Sequence, residues 1–305
     1  MFLLLKYTLL YSTVLMLVAL GGMFSERSGI INIALEGIMV IGGLCGAIMI
    51  GLMPPGSSAF LTVLCSTLAA AVSGALFSSL LAFASVNLKA DQTIGGTALN
   101  LLAVAIAVVV AKRVSGVQGS KLSYLNSAFL INIGPVSLNA FFFIGVAILI
   151  ASYVVLYKTR FGLRLRACGE HPQAADFVGI NVYGLRWAGV LISGVLGGIG
   201  GLAYIVPPVQ TWNFEVGVSG MGFLALAVMI FGEWKPFRIM FAAIFFSVFR
   251  ALANIADSTF IQVLGWPKEI YNMMPFIASM VILAFSSKKS KAPKAEGIPY
   301  DKSSR

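Results

Sequence analysis

Long apolar runs recur from one end of this sequence to the other, at residues 7–24, 33–52, 59–86, 138–157, 187–206, 237–256 and 270–285. A bilayer core about 30 Å thick takes roughly 20 apolar residues per helix, and each of these runs is of that order. Composition agrees: hydrophobic residues are 59% of the chain, charged residues 10%, and mean hydropathy is +0.94. A soluble globule carries about 25% charged residues, so this chain lacks the charge to cover a water-facing surface. The runs predict an all-α polytopic membrane protein with about 8–10 transmembrane helices, since lipid leaves a spanning chain little choice but helix.

Two further apolar runs, 97–111 and 218–232, are short for an upright span, and each is opened by small residues: Gly95-Gly96-Thr97 and Ser219-Gly220. Interrupted segments at membrane depth are tolerated only where they line protein or a water-filled cavity, and in transporters they mark pathways. Both runs are therefore expected to be broken or re-entrant.

The +10 net charge has a local cause. Lys158, Arg160, Arg164, Arg166 and Arg186 fall in one short loop, and Lys288, Lys289, Lys291, Lys294, Lys302 and Arg305 in the tail, opposed only by Glu170, Asp176, Glu296 and Asp301. Basic clusters in short loops are a topological signal, which places the loop 158–186 and the tail in the cytoplasm and argues against nucleic acid as the partner. Lys235 and Arg238 then fall inside, and Trp212, Asn213, Glu215, Asp257 and Glu269 outside. Lys112, Arg113 and Lys121 fall outside, against the rule. Either all nine candidates cross and the N-terminus is outside, or one early segment is re-entrant. The first run has one positive charge, Lys6, and no small-residue cleavage site before Glu26, so it is read as a span and not a removable signal. Residues 1–287 form the membrane domain. The tail 288–305, rich in Lys, Pro, Ser and Ala, is expected to be disordered.

Catalytic constellations are poor. Cys45, Cys65 and Cys168 make no even disulfide framework. His171 is the one histidine, which leaves no zinc cluster, and its place in the basic loop excludes a Ser–His pair in the membrane. No GxxxxGK[ST] phosphate loop occurs, and no close carboxylate pair lies in a span. The chain is expected to be no enzyme and to hold no cofactor or metal.

Polar residues in apolar surroundings are more informative, because ionisable groups are costly in a bilayer. The stretch Ser25 to Gly37 places Glu26, Arg27, Asn32 and Glu36 between two apolar runs. Asn32 and Glu36, four apart, would share one helical face. They line a pathway or belong to a charged connection between helices. Asn100 is interhelical glue or path lining, and Trp212, Asn213 and Glu215 sit at an outer boundary where tryptophan is common. A repeat is also visible. Val72-Ser73-Gly74-Ala75-Leu76 echoes Ile192-Ser193-Gly194-Val195-Leu196 at an offset of 120, and Gly96 echoes Gly220 at an offset of 124. It is either a repeated half, as transporters have, or small-residue helix packing.

The loop 158–186 is the sharpest feature. Within it, Gln173 to Gly179 reads as a short helix that starts at Pro172 and stops at glycine. A Pro-start, Gly-stop helix flanked by Arg164 and Arg166 suits docking into a partner's groove better than a solvated loop.

Here the sequence resembles a known family. Ala174-Ala175 with Gly179 resembles the core of the EAA-type loop of ABC importer permeases. The stretch from Phe161-Gly162-Leu163-Arg164 through Gly169-Glu170-His171-Pro172 to Gly179-Ile180-Asn181-Val182 resembles the branched-chain amino acid, simple sugar and nucleoside permeases. Three more stretches agree in order and spacing over roughly 20–285: Glu26-Arg27-Ser28-Gly29-Ile30-Ile31-Asn32-Ile33 with Leu35-Glu36-Gly37, then Gly222-Phe223-Leu224-Ala225-Leu226-Ala227 with Ile230-Phe231-Gly232, then Met274-Pro275-Phe276. The first is similar to the nucleoside branch, whose permeases pair with nucleoside-binding lipoproteins. Gln173 replaces the glutamate of the EAA pattern, His171 stands where Asn is usual, and the older IxLP ending is absent.

The resemblance implies a type II ABC importer-like fold and half of a pore made with a second, homologous permease. It implies an ATPase subunit, holding ATP and magnesium itself, docked on Gly169, Glu170, His171, Pro172, Gln173, Ala174, Ala175, Asp176, Gly179 and Asn181, with Arg164 and Arg166 meeting its acidic groups. A lipoprotein outside would deliver a small molecule, a purine nucleoside or else a simple sugar, along a path for which Asn32, Glu36, Asn100 and Asn213 are the candidates. The rival is an ion-driven transporter, for which Glu36 is the one candidate carboxylate.

Overall fold

The computed structural model describes residues 2–54, 56–116, 119–133, 136–255, 270, 273–278, 280 and 291–302. Up to Ile255 the described residues form α-helices in the order α1 Phe2–Arg27, α2 Leu35–Leu52, α3 Ala59–Ala82, α4 Gln92–Ser115, α5 Ala140–Lys158, α6 Arg160–Glu170, α7 Pro172–Phe177, α8 Val182–Ile205, α9 Met221–Phe231 and α10 Pro236–Ile255. A π-helical turn, Phe83–Asn87, prolongs α3. Among the described residues, seven helices (α1, α2, α3 with its π turn, α4, α5, α8 and α10) are long and apolar enough to cross a membrane. With α9 as a shorter apolar helix, this is the all-α polytopic architecture the runs predict. The run 270–285 lies mostly outside the described residues, apart from a helical stretch at 273–278.

Helix ends fall where side chains can take the free backbone N–H groups. Asp91 accepts from Thr93 and Ile94 at 2.8 and 2.9 Å to start α4, and Asn139 accepts from Phe141 at 3.0 Å to start α5. Thr159 and Asn181 open α6 and α8 in the same way, by accepting from Gly162 and Gly184. Two short antiparallel pairs, β1 (Lys121–Ser123) with β4 (Thr211–Asn213) and β2 (Leu130–Ile133) with β3 (Val136–Asn139), cover the end of the bundle opposite α6 and α7.

The α8 helix is the most enclosed span, with α2 and α1 next, while α3, α4 and α5 are the most open. The open helices turn Phe60, Leu68, Leu76, Ile94, Leu101, Val109 and Ile150 outward, all exposed, the pattern of a lipid-facing or partner-facing surface and not of a water-facing one. At the centre, α3 and α8 cross through glycines. A Cβ on Gly74 would stand 2.3 Å from the Gly194 carbonyl oxygen, and one on Gly194 would stand 2.6 Å from the Gly74 carbonyl oxygen. That reciprocity pairs the two echoed sequences with each other. The chain runs through α3 and α4 in the opposite sense to α8 and α9, so the echoed stretches cross antiparallel, and the small residues serve helix packing.

One end of the bundle carries Arg27, Lys89, Lys158, Arg160, Arg164, Arg166, Lys235, Arg238, Lys291 and Lys302, and the other carries Lys112, Arg113 and Lys121. The positive-inside rule makes the first end cytoplasmic. The start of α1 is then outside, and residues 291–302 lie inside.

Three expectations are corrected. The run 97–111 is not a broken segment: Gly95, Gly96 and Thr97 lie inside the full-length helix α4, which the Asp91 cap starts earlier. Residues 28–34 form a nonhelical connection between α1 and α2, so Asn32 is not helical and shares no helix face with Glu36. The tail is not structureless over 291–302, where Ala295 and Tyr300 are buried; its remaining residues lie outside those described.

Candidate functional site

A chain that leaves helical geometry at 28–34, beside buried apolar helices, frees backbone N–H and C=O groups that lipid cannot satisfy. Side chains from other elements take them. The Ile31 N–H donates to Gln92 Oε1 at 2.7 Å, and the Gly37 N–H donates to Asn100 Oδ1 at 2.8 Å. Asn100 Nδ2 donates in turn to the Ile33 carbonyl at 2.9 Å. Asn32 is fully buried and donates through Nδ2 to Ser193 Oγ at 2.8 Å. Asn100 thus ties the end of the break to the first turn of α2. It is glue in the strict sense of filling hydrogen bonds that the backbone left open.

Glu36 sits one residue into α2 and reaches across to α9. Its two carboxylate oxygens accept from the Gly220 and Gly222 N–H groups at 2.8 and 2.7 Å. Those groups open a helix N-terminus, where a negative charge is favoured by the unpaired N–H groups and the helix dipole. The short α9 is entered through Gly217, Ser219 and Gly220, all with positive φ (60°, 53° and 77°). A Cβ on Gly222 would come within 2.4 Å of the Glu36 backbone nitrogen, so only glycine lets α9 lie this close to α2. The run 218–232 is therefore an interrupted segment as its small residues predict, with Glu36 as its cap.

At the cytoplasmic end, the loop 158–186 folds as two helices. Thr159 and Gly162 turn the chain sharply out of α5, since a Cβ on Gly162 would stand 2.2 Å from the Val155 carbonyl oxygen. The helix α6 was not foreseen; its amphipathic pattern, RFGLRLRACGE, carries the missed signal. Pro172 opens α7, and Gly179, at φ +82°, accommodates the chain just beyond α7. Leu165, Cys168, Gly169, Pro172 and Ala175 face inward. Leu163, Arg164, His171, Gln173, Ala174, Phe177, Val178 and Gly179 are exposed, with Phe177 at 71% and Val178 at 75%. Arg166 lies over the Tyr157 ring, 4.9 Å from its centre, so of the two flanking arginines Arg164 is the exposed one. Glu170 pairs with Arg27 at 3.8 Å, Asp176 is partly buried, and Asn181 caps α8. Burial pushes the Cys168 thiol up to about 11, which suits a packing residue and not a reactive one.

The scattered motifs meet. Gly169 packs on the Arg27 carbonyl, where a Cβ would stand at 2.4 Å, so the Glu26–Gly29 and Gly169–Pro172 stretches form one contact. Glu36 joins the Gly222 stretch, and Phe276 lies against Gly220. Trp234, in the α9–α10 turn at φ +53°, donates its indole N–H to the buried Glu26 at 2.5 Å and receives Arg27 on its carbonyl at 3.2 Å. That pairing was invisible in the sequence.

Nearer the outer end, the rings of Tyr7, Tyr11, Tyr204 and Trp212 form a continuous series with centres 5.4 to 6.2 Å apart. On α10, Asn254 donates to the Tyr11 hydroxyl at 2.5 Å and Arg250 to the Tyr204 hydroxyl at 3.4 Å. Arg250 is a charge inside a span and was overlooked in the run 237–256. Asn213 accepts from the Ser120 hydroxyl at 2.9 Å in the same outer region.

A profile of the family described as branched-chain amino acid transport system / permease component matches residues 4–284. A nucleoside ABC transporter permease protein, NupC, of Lactococcus lactis is 44% identical over 97% of this chain and 95% of its own length. A guanosine ABC transporter permease protein, NupQ, of Bacillus subtilis is 38% identical over 98% of this chain and 96% of its own. A putative glucose ABC transporter permease of Haloferax volcanii is 29% identical over 82% and 76%. No solved structure matches. Matched along nearly its whole length by the profile and by both nucleoside-type relatives, this multi-pass protein of the cytoplasmic membrane belongs to the permease component family of the branched-chain amino acid transport systems.

Proposed function

We propose that the chain is the permease subunit of an ATP-driven importer of purine nucleosides, catalytically inert itself, with ATP and magnesium bound by a partner. The carrying observation is the pair α6–α7: a buried inner face and an exposed apolar tip, Phe177 and Val178, at the cytoplasmic end. Exposed apolar side chains facing the cytosol on short, well-anchored helices suit insertion into a partner's groove. The ATPase docks there, with Arg164 facing its acidic groups and His171, Gln173 and Ala174 on the contact surface. Closure of its nucleotide domains moves α7, and the bundle rocks between inward-open and outward-open states. A second homologous permease completes the pore, and a lipoprotein delivers the ligand from outside.

A nucleoside asks for stacking surfaces for its base and hydrogen-bond partners for its ribose. The Tyr7–Tyr11–Tyr204–Trp212 series with Arg250 and Asn254 offers both on the outer side, with Asn213 as a further polar contact, while Glu36 is taken up by the head of α9. Asn32 and Asn100 already spend hydrogen-bonding capacity on the break before α2. The nucleoside-type relatives support this substrate class over the sugar reading.

The test is guanosine uptake by cells carrying the chain with its partner permease, ATPase and lipoprotein. Uptake is expected to be lost to vanadate, spared by an uncoupler at constant ATP, competed by other purine nucleosides and not by glucose. Competition by glucose would favour the sugar reading, and loss to the uncoupler alone would overturn ATP coupling. A Phe177→Asp variant is expected to reach the membrane but fail to retain the ATPase on purification.

A further inference from the structure

The tail residues 291–302 touch several elements that reach the cytoplasmic end. The Ala295 N–H donates to the Gly169 carbonyl at the end of α6 at 2.8 Å, and the Gly297 N–H to the Gly29 carbonyl at 3.2 Å. Arg186 of α8, 1% exposed, donates to the Ile298 carbonyl at 3.0 Å and lies 5.9 Å from the centre of the Tyr300 ring. Burial raises the Glu296 carboxyl from its ordinary value. Lys291 pairs with Glu233 at 2.7 Å, Lys89 with Asp301 at 2.6 Å and Lys302 with Asp176 at 4.0 Å. Exposed ion pairs are individually worth little. The buried contacts matter more.

Tyr300 is 4% exposed, and with Cys168, Ala175 and Val182 it forms a small apolar core separate from that of the bundle. Cys168 belongs to α6, Ala175 to α7 and Val182 to the start of α8, so the largest side chain of this core comes from the tail. Helices of 11 and 6 residues are marginal without tertiary packing, and chain termini are loose unless tied down. The composition of this tail predicts the loose state, and its contacts oppose it.

We propose that residues 291–302 are a strap that completes the coupling element, holding α6 and α7 to α1 and α8 so that motion imposed on α7 reaches the bundle as a rigid-body movement. The inference rests on the docking reading above. A pair of helices with an incomplete core would absorb the ATPase stroke by local deformation; one locked at Gly169, Gly29 and Arg186 passes it on.

The experiment uses the assembled transporter in proteoliposomes, with Cys45→Ala and Cys65→Ala leaving Cys168 as the sole thiol of this chain. A maleimide probe reads whether the tail is seated, because Cys168 is buried in the small core that Tyr300 completes. The intact tail is expected to protect Cys168, and Tyr300→Ala or removal of 291–305 to expose it. Uptake per ATP hydrolysed is expected to fall about tenfold in Tyr300→Ala, the size of an ordinary coupling free energy, with the ATPase still bound. Exposed Cys168 with unchanged uptake per ATP would overturn the strap, as would equally fast labelling with and without Tyr300. Phe177→Asp separates the two readings. It removes the docking tip and leaves Cys168 protected, so normal uptake by that variant would defeat docking while the labelling result for the tail still stood.

Discussion

Glu36 condenses the chemistry of the membrane interior into one side chain. A carboxylate placed among apolar helices needs its charge met on the spot, and here two N–H groups of α9 meet it. Glu36→Ala removes the acceptor from both and is expected to cost about 1.5–3 kcal/mol for each charge-assisted bond lost, read as a lower thermal midpoint of the purified permease. Glu36→Gln keeps one carbonyl acceptor and should fall between wild type and Glu36→Ala; a midpoint as low as that of Glu36→Ala would mean the retained bond contributes nothing. Glu36 and Asn100 were legible because a polar residue in an apolar run stands out. Glu26 was visible too, but its partner Trp234 is 208 positions away, and no local pattern joins them. Arg186 looked like one more topological charge until the fold buried it under the tail.

Between α3 and α8 the contact is backbone on backbone. A Cβ on Gly198 would stand 2.2 Å from the Ala70 carbonyl oxygen, so Gly198→Ala must push the helices apart and is expected to destabilise by about 1–3 kcal/mol, as overpacking usually does. Gly51, with nothing within 4 Å of its Cβ position, is the control: Gly51→Ala should leave the thermal midpoint unchanged or raise it slightly through helix propensity. Equal effects at both sites would argue against the glycine crossing. The echo between the two helices was readable, but its meaning was not, because small residues serve both repeats and packing. The same ambiguity put a break where α4 is continuous. Gly95 and Gly96 look like helix breakers, yet inside α4 Gly96 gives Ile33 and Ala34 room to approach, while helical geometry lapses at 28–34, in the polar-marked connection between the first two apolar runs.

The bundle as a whole has a definite sense. Of cysteines introduced into a background lacking Cys45, Cys65 and Cys168, one at Ser57 should react with an impermeant maleimide in intact cells and one at Gln173 only after the membrane is opened. The opposite pattern would invert the topology and remove α7 from the ATPase side. That the chain crosses the membrane repeatedly and carries a Pro-start, Gly-stop helix in its basic loop followed from the sequence alone. Hydropathy, charge placement and turn residues act over a few neighbours and can be read from them. What the tertiary structure decided was which distant groups would meet: Glu36 with the head of α9, Asn100 with the break before α2, Gly74 with Gly194, Tyr300 with Cys168. Each of these contacts satisfies a backbone group or fills a space that exists only once the helices have packed, and so no single stretch of sequence contains it.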